Sequence, residues 1–77
     1  MSLDLQSPLQ GTVLIVDVEV GDQISEGQRV ALLESMKMEH EVLATSGGVI
    51  TKVCIEIGQM VSESENLFSY ELQETPS

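Results

Sequence analysis

Apolar and polar positions alternate in two short runs: Val16, Val18 and Val20 bracket Asp17 and Glu19, and Val53, Ile55 and Ile57 bracket Cys54 and Glu56. A period of two is the mark of a half-buried strand, whose side chains point to opposite faces in turn. Each run ends at a glycine, Gly21 or Gly58, where a turn needing positive φ is the simplest reading. The two runs are copies of one another. Laying GTVLIVDVEVGDQISEGQRVALLE (11–34) over GVITKVCIEIGQMVSESENLFSYE (48–71) gives a constant offset of 37 residues without a gap, the sign of an internal repeat. Gly11/Gly48, Val16/Val53, Glu19/Glu56, Gly21/Gly58, Ser25/Ser62, Glu26/Glu63 and Glu34/Glu71 are identical across it, and Val13/Ile50, Val18/Ile55, Val20/Ile57, Ile24/Val61 and Val30/Leu67 exchange one aliphatic side chain for another. Val13 and Ile50 lie on the opposite parity from the alternating runs, which predicts a bulge or strong twist after Gly11 and Gly48.

The repeat also settles ALLESMKMEHEVLA, residues 31–44. Taken alone this stretch reads as a helix, being rich in Ala, Leu, Glu, Met and Lys. Its first part, however, is the copy of NLFSYE, whose content suits a strand, so Arg29–Glu34 is predicted as a strand too. A partner strand at Glu39–Leu43 is then joined to it by Ser35 to Met38 alone, the length of a tight hairpin connection. Lys37 falls at the tip. The turn lacks the usual Asn-Gly or Gly-X pair, so at least one bulky residue is expected in a conformation it disfavours. The fold class expected is all-β: two similar half-sandwiches in quasi-two-fold relation, with the hairpin at one end and the chain termini at the other. The expected core is Val18, Val20, Ile24, Val30, Ile55, Ile57, Val61 and Leu67, with Phe68 and Tyr70 near the C-terminal edge.

Seventy-seven residues suffice for one small core. One domain is expected over 1–77, its core about 3–72 and its last residues, 73–77, a frayed polar tail. Three basic residues against thirteen acidic ones give a net charge of −10, which repels phosphate backbones and anionic lipid and argues against nucleic-acid and membrane-surface roles. Cys54 is the sole cysteine, so no intrachain disulfide forms, and a reducing, cytoplasmic setting fits best. No apolar stretch approaches the roughly 18 residues that span a bilayer, and no targeting segment is visible.

As an enzyme the chain is poorly equipped. A nucleophilic lysine needs burial or a nearby cation to lower its pKa, whereas Glu34, Glu39 and Glu41 favour the charged ammonium. Ser35 and His40 lie on opposite sides of the turn with no group to orient them, and His40, the only histidine, has no cluster of further metal ligands around it. Lys52 is a mid-strand residue with an outward position, its stem covering apolar surface. Lys37 reads instead as a handle for another enzyme.

ESMKMEH resembles the attachment motif of the biotinyl/lipoyl domain family, closest to the biotin carboxyl carrier domains of biotin-dependent carboxylases. SPLQGTV, VEVGDQISEGQ and SGGVITKV extend the likeness over residues 6–72. The resemblance implies a flattened barrel, or sandwich, of two four-stranded antiparallel sheets with quasi-two-fold symmetry and the modified lysine at a tight hairpin tip. Carried over by position, it makes Lys37 the biotinyl-lysine and Met36 and Met38 its flanking motif residues, with biotin as the covalent cofactor. The implied partners are a biotin protein ligase and the biotin carboxylase and carboxyltransferase domains or subunits of a carboxylase, of acyl-CoA or related type. The role so implied is that of a non-catalytic carrier. The constant offset leaves no room for the inserted thumb of the multi-subunit bacterial acetyl-CoA carboxylase carrier, so the likeness is to thumbless carriers. Two other readings stay open at this point. Lipoyl domains share the fold, although their lysine commonly sits in DKA where this chain has MKM, and unmodified lipoyl-like modules serve purely for packing.

Overall fold

The computed structural model describes residues 1–72; residues 73–77, expected as a tail, lie outside the described residues. Eight strands follow one another: β1 (Ser2–Gln6), β2 (Gly11–Val16), β3 (Gln23–Ile24), β4 (Arg29–Ser35), β5 (Met38–Leu43), β6 (Gly48–Val53), β7 (Met60–Val61) and β8 (Asn66–Leu72). They form two antiparallel four-stranded sheets, ordered β1-β8-β6-β3 and β5-β4-β2-β7. Adding 37 to the bounds of β2, β3 and β4 gives those of β6, β7 and β8, and the first sheet order becomes the second under the same exchange, with β1 in the place of β5. The repeat in the sequence is thus the two-fold of the fold, and the all-β sandwich is as expected.

The core between the sheets is built from repeat pairs. Val13 and Ile50, Leu33 and Tyr70, Ala31 and Phe68, Val30 and Leu67, Ile24 and Val61, and Val18 and Ile55 are all buried, so one packing solution is used twice around the axis. Two members of the expected core are not in it. Val20 is 63% exposed and Ile57 is 69% exposed. The reason is that the strands lie earlier in the chain than the alternation of 16–20 and 53–57 indicated: β2 ends at Val16 and β6 at Val53. After Val16 the Asp17 amide still donates to the Val30 carbonyl, Val18 turns inward, and the chain then enters a turn. There the Glu19 amide donates to the Asp22 carboxylate at 2.9 Å and Gly21 takes φ +96°. Ile57 occupies the matching turn, where the Glu56 amide donates to the Gln59 side-chain oxygen at 3.0 Å.

The predicted irregularities are present, between Val13 and Ile15 in β2 and between Ile50 and Lys52 in β6. A residue inserted there reverses the parity of everything after it, which is how Val13 and Val18 both face the core. Phe68 and Tyr70 are buried, but β8 lies between β1 and β6 and so is an interior strand. The C-terminal segment is therefore central to its sheet, contrary to the edge placement expected. The Tyr70 hydroxyl reaches the surface side, where it shares a 2.8 Å hydrogen bond with Ser46 Oγ. Among the described residues no helix is long and apolar enough to cross a membrane.

Strand direction places the functional end. β1 and β4 run towards the β4–β5 turn, and β8 runs away from it, so Ser2 and Leu72 lie at the far end of a body 44 Å long and 19 by 18 Å across. This is the separation of hairpin and termini that the repeat predicted.

Candidate functional site

Ser35 pairs with Met38, leaving Met36 and Lys37 as a two-residue loop. Both have positive φ, 53° and 65°. Positive φ at both central residues is what a type I′ hairpin requires, because that turn matches the right-handed twist of the flanking strands; asparagine and glycine accept it most readily, methionine and lysine poorly. The bulky residues are held there by the ladder beneath, in which Glu34 pairs with Glu39, Leu33 with His40 and Leu32 with Glu41. Leu33 is fully buried and anchors the base of the hairpin in the core.

The turn therefore stands clear of the body. Met36 is 93% exposed and Met38 62%, and Lys37 is exposed. Among the described residues no ion pair holds the Lys37 ammonium; the two ion pairs found are Met1 with Glu71 and Arg29 with Asp17. Lys37 thus presents a primary amine at an exposed two-residue loop, outside any ion pair among the described residues.

Glu34 and Glu39 face each other across the strands just below the turn, a like-charge pair that slightly weakens the ladder. None of Glu34, Glu39 and Glu41, expected from sequence to favour the charged ammonium, forms an ion pair with Lys37 among the described residues. His40 is half-buried beside Leu33, and no group of three or more His, Cys, Asp or Glu suited to a metal occurs among the described residues. Lys52 is exposed on β6. Cys54 is a half-buried thiol that accepts a 3.8 Å contact from the Asn66 amide.

Sequence reading missed one part of this end. A cleft of about 430 Å³ opens against the turn, and Met36 and Met60 of β7 are among the residues that line it. Gln10, Gly11, Thr12, Glu34 and Ser35 complete the lining. Gly11 has no room for a side chain, since a Cβ there would stand 2.6 Å from the Glu34 carbonyl oxygen. A signal was available: Met60 is the repeat partner of Gln23, and a methionine on an exposed edge strand has no packing reason to be there.

Two half-sandwiches with an exposed lysine on a two-residue turn of positive φ give this chain the fold of the biotinyl/lipoyl domains. A model of the family described as biotin-requiring enzyme matches residues 1–69. The chain belongs to that biotinyl/lipoyl family. It is 40% identical over 65 residues to the biotin carboxyl carrier protein of Streptococcus mutans, covering 84% of this chain and 50% of that protein. The same identity over 65 residues relates it to the biotinylated protein TB7.3 homolog of Mycobacterium leprae, covering 84% of this chain and 92% of that one. Among solved structures, a single-chain, multi-domain long-chain acyl-CoA carboxylase matches with a TM-score of 0.88 and 27% identity, covering 95% of this chain and 7% of that one. The chain thus spans half of the first relative, nearly all of the second and a small part of the carboxylase.

Proposed function

We propose that this chain is a biotin carboxyl carrier whose Lys37 receives biotin from a biotin protein ligase. The observation that carries the reading is the unpaired, exposed lysine at the centre of MKM on a two-residue turn, in a chain whose family is biotin-requiring. In the attachment the Lys37 amine gives up a proton and attacks the activated carboxyl carbon of biotin. An amide forms, the activating adenylate leaves, and the ammonium charge disappears. When bound, biotin supplies a ureido nitrogen that takes up and releases a carboxyl group.

The rest of the work falls to this chain's own residues. The β4–β5 ladder fixes where the arm begins, and Met36 and Met38 present a soft, adaptable apolar rim on either side of it. The body keeps Lys37 at the end opposite its termini, so that the arm can enter one partner active site and then another. Tethering replaces encounters between free molecules by an effective concentration set by the arm, while the chemistry belongs to cofactor and partners. Those partners are the biotin carboxylase and carboxyltransferase sites of a carboxylase, with an acyl-CoA or related acceptor. The chain itself is non-catalytic, binds neither nucleic acid nor membrane, and works in the cytoplasm.

Intact-protein mass spectrometry with fragmentation, after co-expression with a biotin ligase and free biotin, tests this. One biotinyl adduct on Lys37, and none on a folded Lys37→Arg variant, is the expected result. An unmodified chain would move the reading to a structural module. A lipoyl adduct in a parallel expression with lipoate ligase would move it to acyl transfer. An adduct on Lys52 or the N-terminal amine would overturn the assignment of the site.

A further inference from the structure

Beyond the attachment point, the cleft beside the turn has properties that the fold does not require. Three internal methionines exist, Met36, Met38 and Met60, and all are exposed, at 93%, 62% and 68%. Methionine is normally a filler of cores, so its placement in solvent at one end calls for a different cause. Two of the three, Met36 and Met60, line the same cleft.

The repeat supplies an internal control. At the far end of the molecule the same strands recur, and the residues equivalent by the offset of 37 can be compared with the lining one by one. Positions that build the backbone crossing are kept, since Gly11 matches Gly48 and Glu34 matches Glu71. Both glycines abut the carbonyl of that glutamate. Positions whose side chains face the opening are changed: Met60 stands for Gln23, Thr12 for Val49 and Gln10 for Gly47. The crossing is thus kept at both ends, while these three lining positions are not.

We propose that this cleft is a resting site for the neutral ring system of biotin carried on Lys37, an inference that rests on the attachment proposed above. The chemistry of the lining matches the two faces of that group. Biotin's ureido ring offers two N–H donors and one carbonyl acceptor. The Glu34 carboxylate, the Ser35 hydroxyl and the Gln10 side-chain oxygen accept from the former, and the Gln10 amide or Thr12 hydroxyl donates to the latter. The tetrahydrothiophene ring is apolar and polarizable, as are the thioether walls of Met36 and Met60. A cleft of about 430 Å³ lies within the range of small-molecule sites, roughly 300 to 1,000 Å³.

Tethering makes a weak site sufficient. Met36 is both a wall of the cleft and the residue next to Lys37, so the ring is confined near it at an effective concentration on the order of millimolar. A site with a dissociation constant on the order of millimolar for free ligand is then about half filled. That occupancy shelters the ring between visits without impeding its departure.

The test uses the intact chain with methyl-labelled methionine, compared by NMR with and without biotin, each sample first checked by mass. With a single adduct on Lys37, the Met60 methyl signal is expected to shift on biotinylation and to show contacts with ring protons, while Met1, at the far end, stays unchanged. Met60→Gln, which installs the repeat residue at an exposed position, should abolish the biotin-dependent shift of the Thr12 amide, read in a second, nitrogen-labelled sample, while its melting temperature stays at that of the parent; Gln10→Ala should reduce the Met60 shift. Biotin on Lys37 with changes confined to residues 35–38 would overturn the resting site and leave the carrier reading standing. No adduct on Lys37 would remove both.

Discussion

In the first half of the molecule Arg29 reaches Asp17 with two hydrogen bonds, 2.9 and 3.0 Å, and the hydrogen bonding and then the charge of Asp17 raise the guanidinium pKa above its ordinary value. In the second half the same two positions are Asn66 and Cys54, joined by one N–H···S contact of 3.8 Å, and the Asn66 side-chain oxygen is buried without a partner. Beneath both runs an identical backbone bond, Asp17 amide to Val30 carbonyl and Cys54 amide to Leu67 carbonyl, each 2.9 Å. The repeat therefore preserves the backbone contact and leaves the side chains above it free to diverge. The same rule holds at the two ends of the long axis, where shared glycines and glutamates build the crossing and the changed residues Gln10, Thr12 and Met60 line the cleft beside the turn.

The comparison can be pressed hardest in the core, where the halves should respond alike. Ile55→Ala is expected to cost about 2 to 5 kcal/mol, as a buried truncation does, whereas Ile57→Ala, two residues on but exposed, should stay within about 0.5 kcal/mol. Chemical denaturation of both variants checks this, and equal losses would sink the assignment of the turn. Next in size are the crossing glycines. Gly11→Ala and Gly48→Ala each drive a Cβ into a strand carbonyl and should cost about 1 to 3 kcal/mol. Gly11→Ala should also reduce the biotinylation rate, because the crossing it disturbs abuts the hairpin, and Gly48→Ala should not.

A smaller effect is expected from moving the charged fork across the two-fold. A double-mutant cycle with Cys54→Asp and Asn66→Arg should show a favourable coupling of about 0.2 to 1 kcal/mol, as for other exposed pairs; a coupling of zero would mean the second half cannot hold the fork geometry. The smallest concerns the loops at Gly27 and Ser64, which match in the repeat and have φ of 84° and 71°. Only the second half asks a side chain to adopt that conformation. Ser64→Gly should raise stability by less than about 1 kcal/mol, since relief of left-handed strain is offset by the greater entropy of glycine in the unfolded chain. Gly27→Ser should lose a similar amount.

Most of this architecture was legible because it is written twice. A helical reading of 31–44 is reasonable on propensity, and the copy of NLFSYE in RVALLE defeats it; with the strands placed, Lys37 had to stand at a tip. Parity showed that a bulge must follow Gly11 and Gly48; what it could not show was that the extra residue is Leu14 in one half and Thr51 in the other, with the strand ending soon after. The alternation that looked strongest, Val16 to Val20, spans the end of a strand, a plug into the core and a turn, and only its first two valines are even partly covered. The cleft was illegible for another reason. Gln10, Glu34 and Met60 belong to three separate segments, and their meeting depends on Gly11 letting β2 and β4 approach closely.

The amide of Leu72 donates to the carbonyl of Met1 at 2.9 Å. Residues at the two extremes of the described chain are thus next-door neighbours, separated by one strand spacing of about 5 Å. A body with such ends can be grafted into a surface loop of an unrelated host without prying the loop's stems apart. It can equally be closed into a ring by a short linker and reopened elsewhere. In either form the graft projects its lysine outward along the long axis, like a mast stepped on two adjacent feet.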